Sequence, residues 1–425
     1  MPVTVEVTRI VTQPLIIQPT PAPPVPCSPA SLEATQTITV GAILPLSLPG
    51  AMHAGFQMQT ALSLAVKEIN DQGGVAGKPL QLVTYDSAGQ AERGAVFTER
   101  LILQDCAAGI VGFIHSNVAL AALEIAHRLG APMIVAKASA DAITASEYPE
   151  VFRIAAPTSL LAQMPAQWLA EVGDYNGDGS LLALLIVDGM ADTSYVDAIL
   201  GHFAETGIDA ATLTVDLPST DFSPVIARIV ARDLLPDAVF IFVRGPDALT
   251  FQAQLLKAGV GPQRSTLIVQ QYTGLDSDAF WRAVPDGVGT VVAREGPWRL
   301  TASERGKRFA ATYTQHTGGW PEGYAFAAYD AVYLLADAML RAGSLQGPAL
   351  VIALEDSHLE GAAGQYTFAY SSLNPPGAGV ASYMWHQWAD VQTLYLQYTT
   401  PGQPAAELPV IWPPRHRTSE GPVAR

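Results

Sequence analysis

The sequence predicts an α/β chain built as two doubly wound lobes. Short apolar runs alternate with amphipathic helical segments from residue 37 onward, which is the pattern of parallel sheets wrapped by helices. The alternation restarts after "VFRIAAPTS" (151–159), so two similar halves follow one another. At 425 residues the chain also exceeds the size at which one hydrophobic core usually splits.

The first half opens with the strand "TITVGAIL" (37–44). A helix follows over 55–74, stopped by Gly73 and Gly74. Then come a strand at 78–87, a helix at 92–105 and the strand "AGIVGF". The helix "VALAALEIAHRLG" (118–130) ends at Gly130, and "APMIVAKAS" (131–139) is a fourth strand. In the second half, "LAQMPAQWLAEV" is helical and "LLALLIVD" (181–188) is a strand. The helix at 194–207 and the strand "DAATLTVDL" continue the pattern. A helix at 221–233, strands at 237–243 and 266–272, and a helix at 247–259 complete it. Three more helices (303–318, 321–343, 349–357) precede a terminal hairpin, "YMWHQWADVQTLYLQ". Residues 1–36 read as a Pro-rich linker and 401–425 as a disordered tail.

Composition narrows the function. The net charge of −16 argues against a nucleic-acid partner or an anionic membrane surface. No run is long and apolar enough to span a bilayer. Residues 1–36 show no charged segment followed by a long apolar one, so no export signal is visible. Their texture resembles spacers that tether bacterial surface lipoproteins, but no apolar lipobox precedes Cys27. The two cysteines, Cys27 and Cys106, show no metal spacing. Cys106 reads as a packed apolar side chain; a disulfide between the two is an open alternative, disfavoured by the flexible tail that carries Cys27.

Several chemical motifs fail on inspection. "GGVAGKP" (73–79) follows a helix and has Pro79 where a phosphate loop needs Ser or Thr, so it reads as a tight turn. "DYNGDGS" (174–180) begins like a calcium loop, but Leu185 stands where a bidentate Glu is required. The eight histidines show no metal spacing, and no nucleophile elbow or cofactor fingerprint occurs. No metal, cofactor or catalytic set is therefore expected, and an enzyme is the less favoured class.

Polar residues at strand-to-helix junctions remain. Ligands of open α/β sheets sit beyond the carboxyl ends of strands, where helix N-termini offer free N–H groups to an anion. Here those ends carry "HSN" (115–117), "KASAD" (137–141), "DGMADTSY" (188–195) and "VRGPD" (243–247). Any one of Ser116, Asn117 or Ser139 reads as a helix cap. Two such junctions in one half favour a ligand site.

The ordered set "ITVGAILPLS" (38–47), "ALSLAVKEINDQGGVAGKPLQLVTYDS" (61–87), "VFTERLILQDCAAGIVGFIHSNVALA" (96–121), "APMIVAKASADAIT" (131–144), "VFRIAAPTSLLAQ" (151–163) and "PEGYAFAAYDAVYLLADAMLRAG" (321–343) resembles the leucine/isoleucine/valine-binding family. These are type I periplasmic binding proteins, solute receptors of branched-chain amino acid ABC transporters. The resemblance covers about residues 37–395. It implies two Rossmann-like lobes joined by three crossovers, near 155–159, 291–298 and 365–371, with a ligand cleft between them. Lobe one would be 37–156 plus 296–366, and lobe two 157–292 plus 370–398.

The same resemblance implies the site. A ligand carboxylate would be held by Ser116 and Ser139, with Asn117 at the same junction and the Ala138 carbonyl facing an ammonium. The family's late-helix aromatic matches Tyr324 or Phe326, and a lobe-two aromatic maps to Tyr195. Where the family commonly has an aromatic near 53–54, this chain has His53, a candidate contact or an exposed loop residue. The family's ammonium-binding acid falls in "QQYTG", which offers Tyr272 instead. Arg244 reads as a partner for a second anionic group or as a surface arginine. The implied protein is a monomeric extracytoplasmic receptor that binds a small polar or carboxylated solute and docks on a permease. A ligand-sensing domain for amides, urea or aromatic acids is the alternative.

Overall fold

Near-continuous apolar strands need cover on both faces, and the helices between them supply it. The computed structural model describes Cys27 and residues 35–189, 193–243, 245–271, 277–419 and 421. The rest of the 1–36 linker lies outside the described residues.

Lobe one begins with β1 (Ile38–Leu44), α1 (Met52–Asp71), β2 (Leu80–Asp86), α2 (Ala91–Leu103) and β3 (Ile110–Gly112). It continues with α3 (Ser116–Leu129), β4 (Met133–Val135), α4 (Ala142–Ala145) and β5 (Val151–Arg153). The chain then crosses to lobe two. There it forms α5 (Thr158–Val172), β6 (Leu182–Asp188), α6 (Thr193–Glu205), β7 (Asp209–Val215), α7 (Ser223–Val230) and β8 (Ala238–Phe242). Next come α8 (Asp247–Lys257), β9 (Leu267–Gln270), α9 (Ser277–Ala283) and β10 (Val291–Glu295). It returns to lobe one for α10 (Glu304–Thr317), α11 (Gly323–Ala342), α12 (Gly347–Glu355) and the small ladder β11 (Leu359–Glu360) and β12 (Gln365–Tyr366). A last crossing delivers β13 (Thr393–Gln397) and β14 (Val410–Trp412) to lobe two.

The five-stranded sheet of lobe one runs β2-β1-β3-β4-β5, all parallel. The seven-stranded sheet of lobe two runs β14-β13-β10-β9-β8-β6-β7, and β13 is antiparallel to both its neighbours. Each sheet is a filling between helices. On one face of lobe one, α1, α10, α11 and α12 bury Met58, Leu62, Phe309, Phe326 and Leu335. The spacing Met58, Ala61, Leu62, Ala65, Ile69 puts one stripe of α1 into that core. On the other face, α2 and α3 bury Leu101, Val118, Ala122 and Leu123. Lobe two repeats the plan, with Trp168 packed edge-on to Phe240 and Tyr395.

Four sequence expectations change here. Cys27 and Cys106 form a disulfide across a sequence separation of 79. The Pro-rich composition says nothing of a covalent tie, so neither cysteine is the free side chain expected. Most of the 401–425 tail is ordered: "VIW" forms β14, and Trp412 Nε1–H donates to Glu171 at 2.9 Å. The terminal hairpin accordingly pairs β13 with β14 and not with residues 383–389. The third crossover lies at 389–392, not 365–371, because Phe368 and His386 pack on Phe152 of β5 in lobe one, and Trp385 donates to Tyr148 O just ahead of that strand.

The 174–180 turn consumes its own acceptors. Asp174 accepts the backbone N–H groups of Gly177, Asp178 and Gly179, and Asp178 accepts that of Ser180. Among the described residues no group of His, Cys, Asp and Glu is placed to hold a metal, and no helix is long and apolar enough to cross a membrane. The disulfide has a direct check. Denatured protein should take up no iodoacetamide before reduction and two equivalents afterwards, because these are its two cysteines.

Candidate functional site

Parallel pairing sends every strand-to-helix junction of a sheet to one edge. In lobe one that edge holds the ends of β1, β3 and β4. Asp86 braces the first, accepting from Leu46 N–H at 2.7 Å, Ala88 N–H at 2.8 Å and the Ser47 hydroxyl. These hydrogen bonds outweigh burial and hold its carboxyl below the usual range.

The two "hydroxyl" junctions meet. Ser116 is the first residue of α3, and its Oγ accepts the N–H of Ala140 at 3.2 Å. Ser139 is fixed through its carbonyl, which accepts from Thr158 N–H at 2.7 Å, Thr158 Oγ1–H at 3.0 Å and Arg153 at 3.1 Å. Thr158 Oγ1 also lies 3.3 Å from Ser139 Oγ. Ala138 is buried and donates its N–H to Phe113 O. Asn117 turns the other way, is exposed, and donates to Gly89 O at 3.1 Å. His115 accepts from Ala51 N–H, and burial lowers its pKa, which keeps the ring neutral.

The remaining candidates divide. Tyr324, in the first turn of α11, donates its hydroxyl to Gln57, whose amide nitrogen lies 3.0 Å from His53 Nε2. His53 is thus in the first turn of α1, exposed, and joined to Tyr324 through one side chain. Phe326 stands in the lobe-one core and not on the crevice wall. It is fully buried and packs edge-on against Phe309 at 5.1 Å, because two helical residues rotate it about 200° away from Tyr324. Across the crevice, Tyr195 packs edge-on to Phe242, and burial with the nearby Glu295 carboxylate raises its hydroxyl pKa well above the ordinary value. Tyr195 lines a cavity of about 70 Å³ with Gln271, Glu295 and Tyr395. Arg244 and Tyr272 lie outside the described residues.

Charged residues that are not among the sequence candidates stand at the floor of the crevice. Lys137, at the end of β4, pairs with Glu295, at the end of β10, at 2.6 Å. Arg294 pairs with Glu322 at 3.0 Å and donates to Pro321 O at 2.6 Å. Burial pushes the Glu322 carboxyl up against the opposing pull of Arg294. Both pairs join lobe one to lobe two. The backbone makes this approach possible at Gly323, where a Cβ would meet Glu295 O at 2.4 Å. Lys137 stands inside "KASAD", and Glu295 ends an apolar strand as the chosen junctions do, so the rule that found Ser116 could have found both.

A family model described as periplasmic binding protein matches residues 37–384. The chain belongs to the periplasmic binding protein family. As a periplasmic binding protein it belongs to a solute-binding family that works outside the cytoplasm. It is 25% identical over 321 residues to the Leu/Ile/Val-binding protein BraC3 of Rhizobium johnstonii, covering 75% of this chain and 83% of the relative. Among solved structures it resembles the substrate-binding protein LivJ of Streptococcus pneumoniae in complex with isoleucine. That match has a TM-score of 0.67 at 23% identity and covers 88% of this chain and 99% of the other. It likewise resembles an R. palustris solute-binding protein in complex with benzoate, with a TM-score of 0.66 at 20% identity, covering 88% and 95%.

The Lys137–Glu295 pair favours the approach of the two lobes of this periplasmic binding protein. Its partners are 27% and 31% exposed, so water screens it in part. A double-mutant cycle with Lys137→Met and Glu295→Gln, read by denaturant unfolding, should give a coupling of about 0.5–1 kcal/mol. That coupling should shrink in 1 M salt (roughly a 3 Å screening length).

Proposed function

We propose that the crevice between the lobes binds a small solute carrying a carboxylate, and that the bound solute favours the closed arrangement. One observation carries this reading. The Ser116 hydroxyl, the N-terminus of α3 and the 138–140 loop converge, joined by the 3.2 Å contact between Ser116 and Ala140. A helix N-terminus of 14 residues presents unpaired N–H groups and the positive end of its dipole, and both suit a carboxylate. In this reading Ser116 and Ser139 contact the anion, the Ala138 carbonyl faces any ammonium, and Tyr324 and Tyr195 close the crevice from opposite lobes.

The relatives support a carboxylate without choosing among its classes, since isoleucine and benzoate both carry one. The protein acts as a monomeric receptor and not as an enzyme, delivering its solute to a permease. The Cys27–Cys106 disulfide supports an oxidising compartment. A ligand-sensing role would use the same crevice.

A thermal-shift screen with isoleucine, leucine, glutamate, benzoate and 3,4-dihydroxybenzoate tests the ligand class. A ligand at a hundred times its Kd adds about 2.7 kcal/mol and raises the unfolding temperature. With the best of these, calorimetry on Ser116→Ala/Ser139→Ala should show at least a roughly tenfold loss of affinity, since hydrogen bonds to a charged group are worth about 1.5–3 kcal/mol each. Unchanged affinity in the double variant would place the ligand elsewhere.

A further inference from the structure

Arg153, the last residue of β5, is fully buried, yet among the described residues no carboxylate lies within ion-pair distance of it. Its guanidinium is satisfied by neutral groups. Nε donates to Gln387 Oε1 at 2.5 Å, Nη2 to Thr144 Oγ1 at 2.8 Å, and Nη1 to the carbonyls of Ser139 at 3.1 Å and Ala140 at 2.6 Å. Asp141 and Tyr383 act on it only at longer range. A buried charge held by dipoles alone is costly to disturb, because each lost hydrogen bond leaves part of it unsolvated.

Its partners define what it connects. Ser139 and Ala140 belong to the cleft loop, and Ala140 N–H is the donor to Ser116 Oγ. Gln387 spends its amide nitrogen on the carbonyls of Ala155, at 2.9 Å, and Trp388, at 2.5 Å. Ala155 lies in the first crossover, and Trp388 immediately precedes the third. The main chains run together as well. Arg153 N–H donates to His386 O, and Trp388 N–H donates to Arg153 O, both at 2.9 Å. One rigid planar fork therefore holds the cleft loop and two of the three connections on which the lobes turn. Its charge also polarises the two loop carbonyls, which strengthens the peptide N–H groups that follow them.

We propose that Arg153 is a positioning residue that couples the 139–144 cleft loop to the first and third crossovers, so that ligand contact and lobe movement are linked through one guanidinium. The proposal rests on the reading of the crevice as the ligand site. A loop shift that follows a bound anion must carry Arg153 with it, or break its hydrogen bonds. Arg153 in turn moves with Gln387 and the crossovers.

The test is amide hydrogen exchange, read by mass spectrometry on the unliganded full chain, with Arg153→Lys and Gln387→Leu. Lysine keeps the charge, but a single ammonium cannot serve Gln387 and the loop carbonyls together. Leucine at 387 leaves the loop contacts of Arg153 and its main-chain pairing with His386 and Trp388 in place, and removes the side-chain link from the guanidinium to the crossovers. In both variants, exchange should accelerate at least tenfold in peptides covering 139–144, 154–157 and 386–392, with β1 and β3 unchanged. The Gln387→Leu variant decides the matter, including the case in which Arg153→Lys fails to fold. Wild-type exchange at 139–144 in that variant overturns the coupling, and so does acceleration spread evenly over the β1 and β3 core. Isoleucine and benzoate binding to the wild type is measured separately. If neither binds, the ligand class assigned to the crevice fails, while the exchange result still decides the coupling.

Discussion

Parallel strand pairing imposes the arrangement of this molecule. A strand that must return parallel to its neighbour needs a long crossover, and here helices supply nearly all of them. Every strand-to-helix junction is thereby delivered to one edge of its sheet, and the opposite edge collects the returns. Two such sheets in one chain have two polar edges with unpaired helix N-termini. Facing those edges towards each other makes a crevice whose walls are rich in N–H donors. The apolar faces of the sheets stay buried under Phe309 and Leu335 in one lobe and Trp168 and Phe240 in the other. The core and the site are thus two results of one pairing rule.

Charge is distributed to match. The walls of the crevice offer dipoles and hydroxyls, whereas formal charges gather at its floor as Lys137–Glu295 and Arg294–Glu322. Pairing lowers the cost of burying them and places the attraction beside the second connection between the lobes. Arg153 departs from this pattern, being a buried charge kept by backbone carbonyls and an amide. It stands where a loop of the wall meets the connections of the floor.

The parts of the fold that the sequence displays are those with a period. The alternation of "LLALLIVD" and its neighbours with amphipathic helices located both lobes, and the Ser116 and Ser139 junctions followed from where strands end. Other features have no period to read. Residues 367–388 form little regular structure, so their packing on β5 is invisible without Arg153 and Gln387 side by side. In the tail, the three apolar residues of β14 are too short a signal among prolines. Phe326 shows the limit within a helix, where Tyr324 and Phe326 look equivalent in a motif but only one faces the crevice. Lys137 stands in plain view inside "KASAD", but junction hydroxyls and helix N-termini signal an anion site without giving a lysine any role. Arg244 and Tyr272 fall outside the described residues.

The disulfide ties residue 27 to Cys106, just ahead of β3, at the edge of the lobe-one sheet opposite the strand-to-helix junctions. Any tension borne by the chain before Cys27 passes through the sulfur bridge into the base of that sheet. It bypasses β1, which would otherwise be the first strand pulled. It also enters on the far side of lobe one from the three connections between the lobes. If the crevice closes on its solute as proposed, load entering through that bridge does no work on the closure.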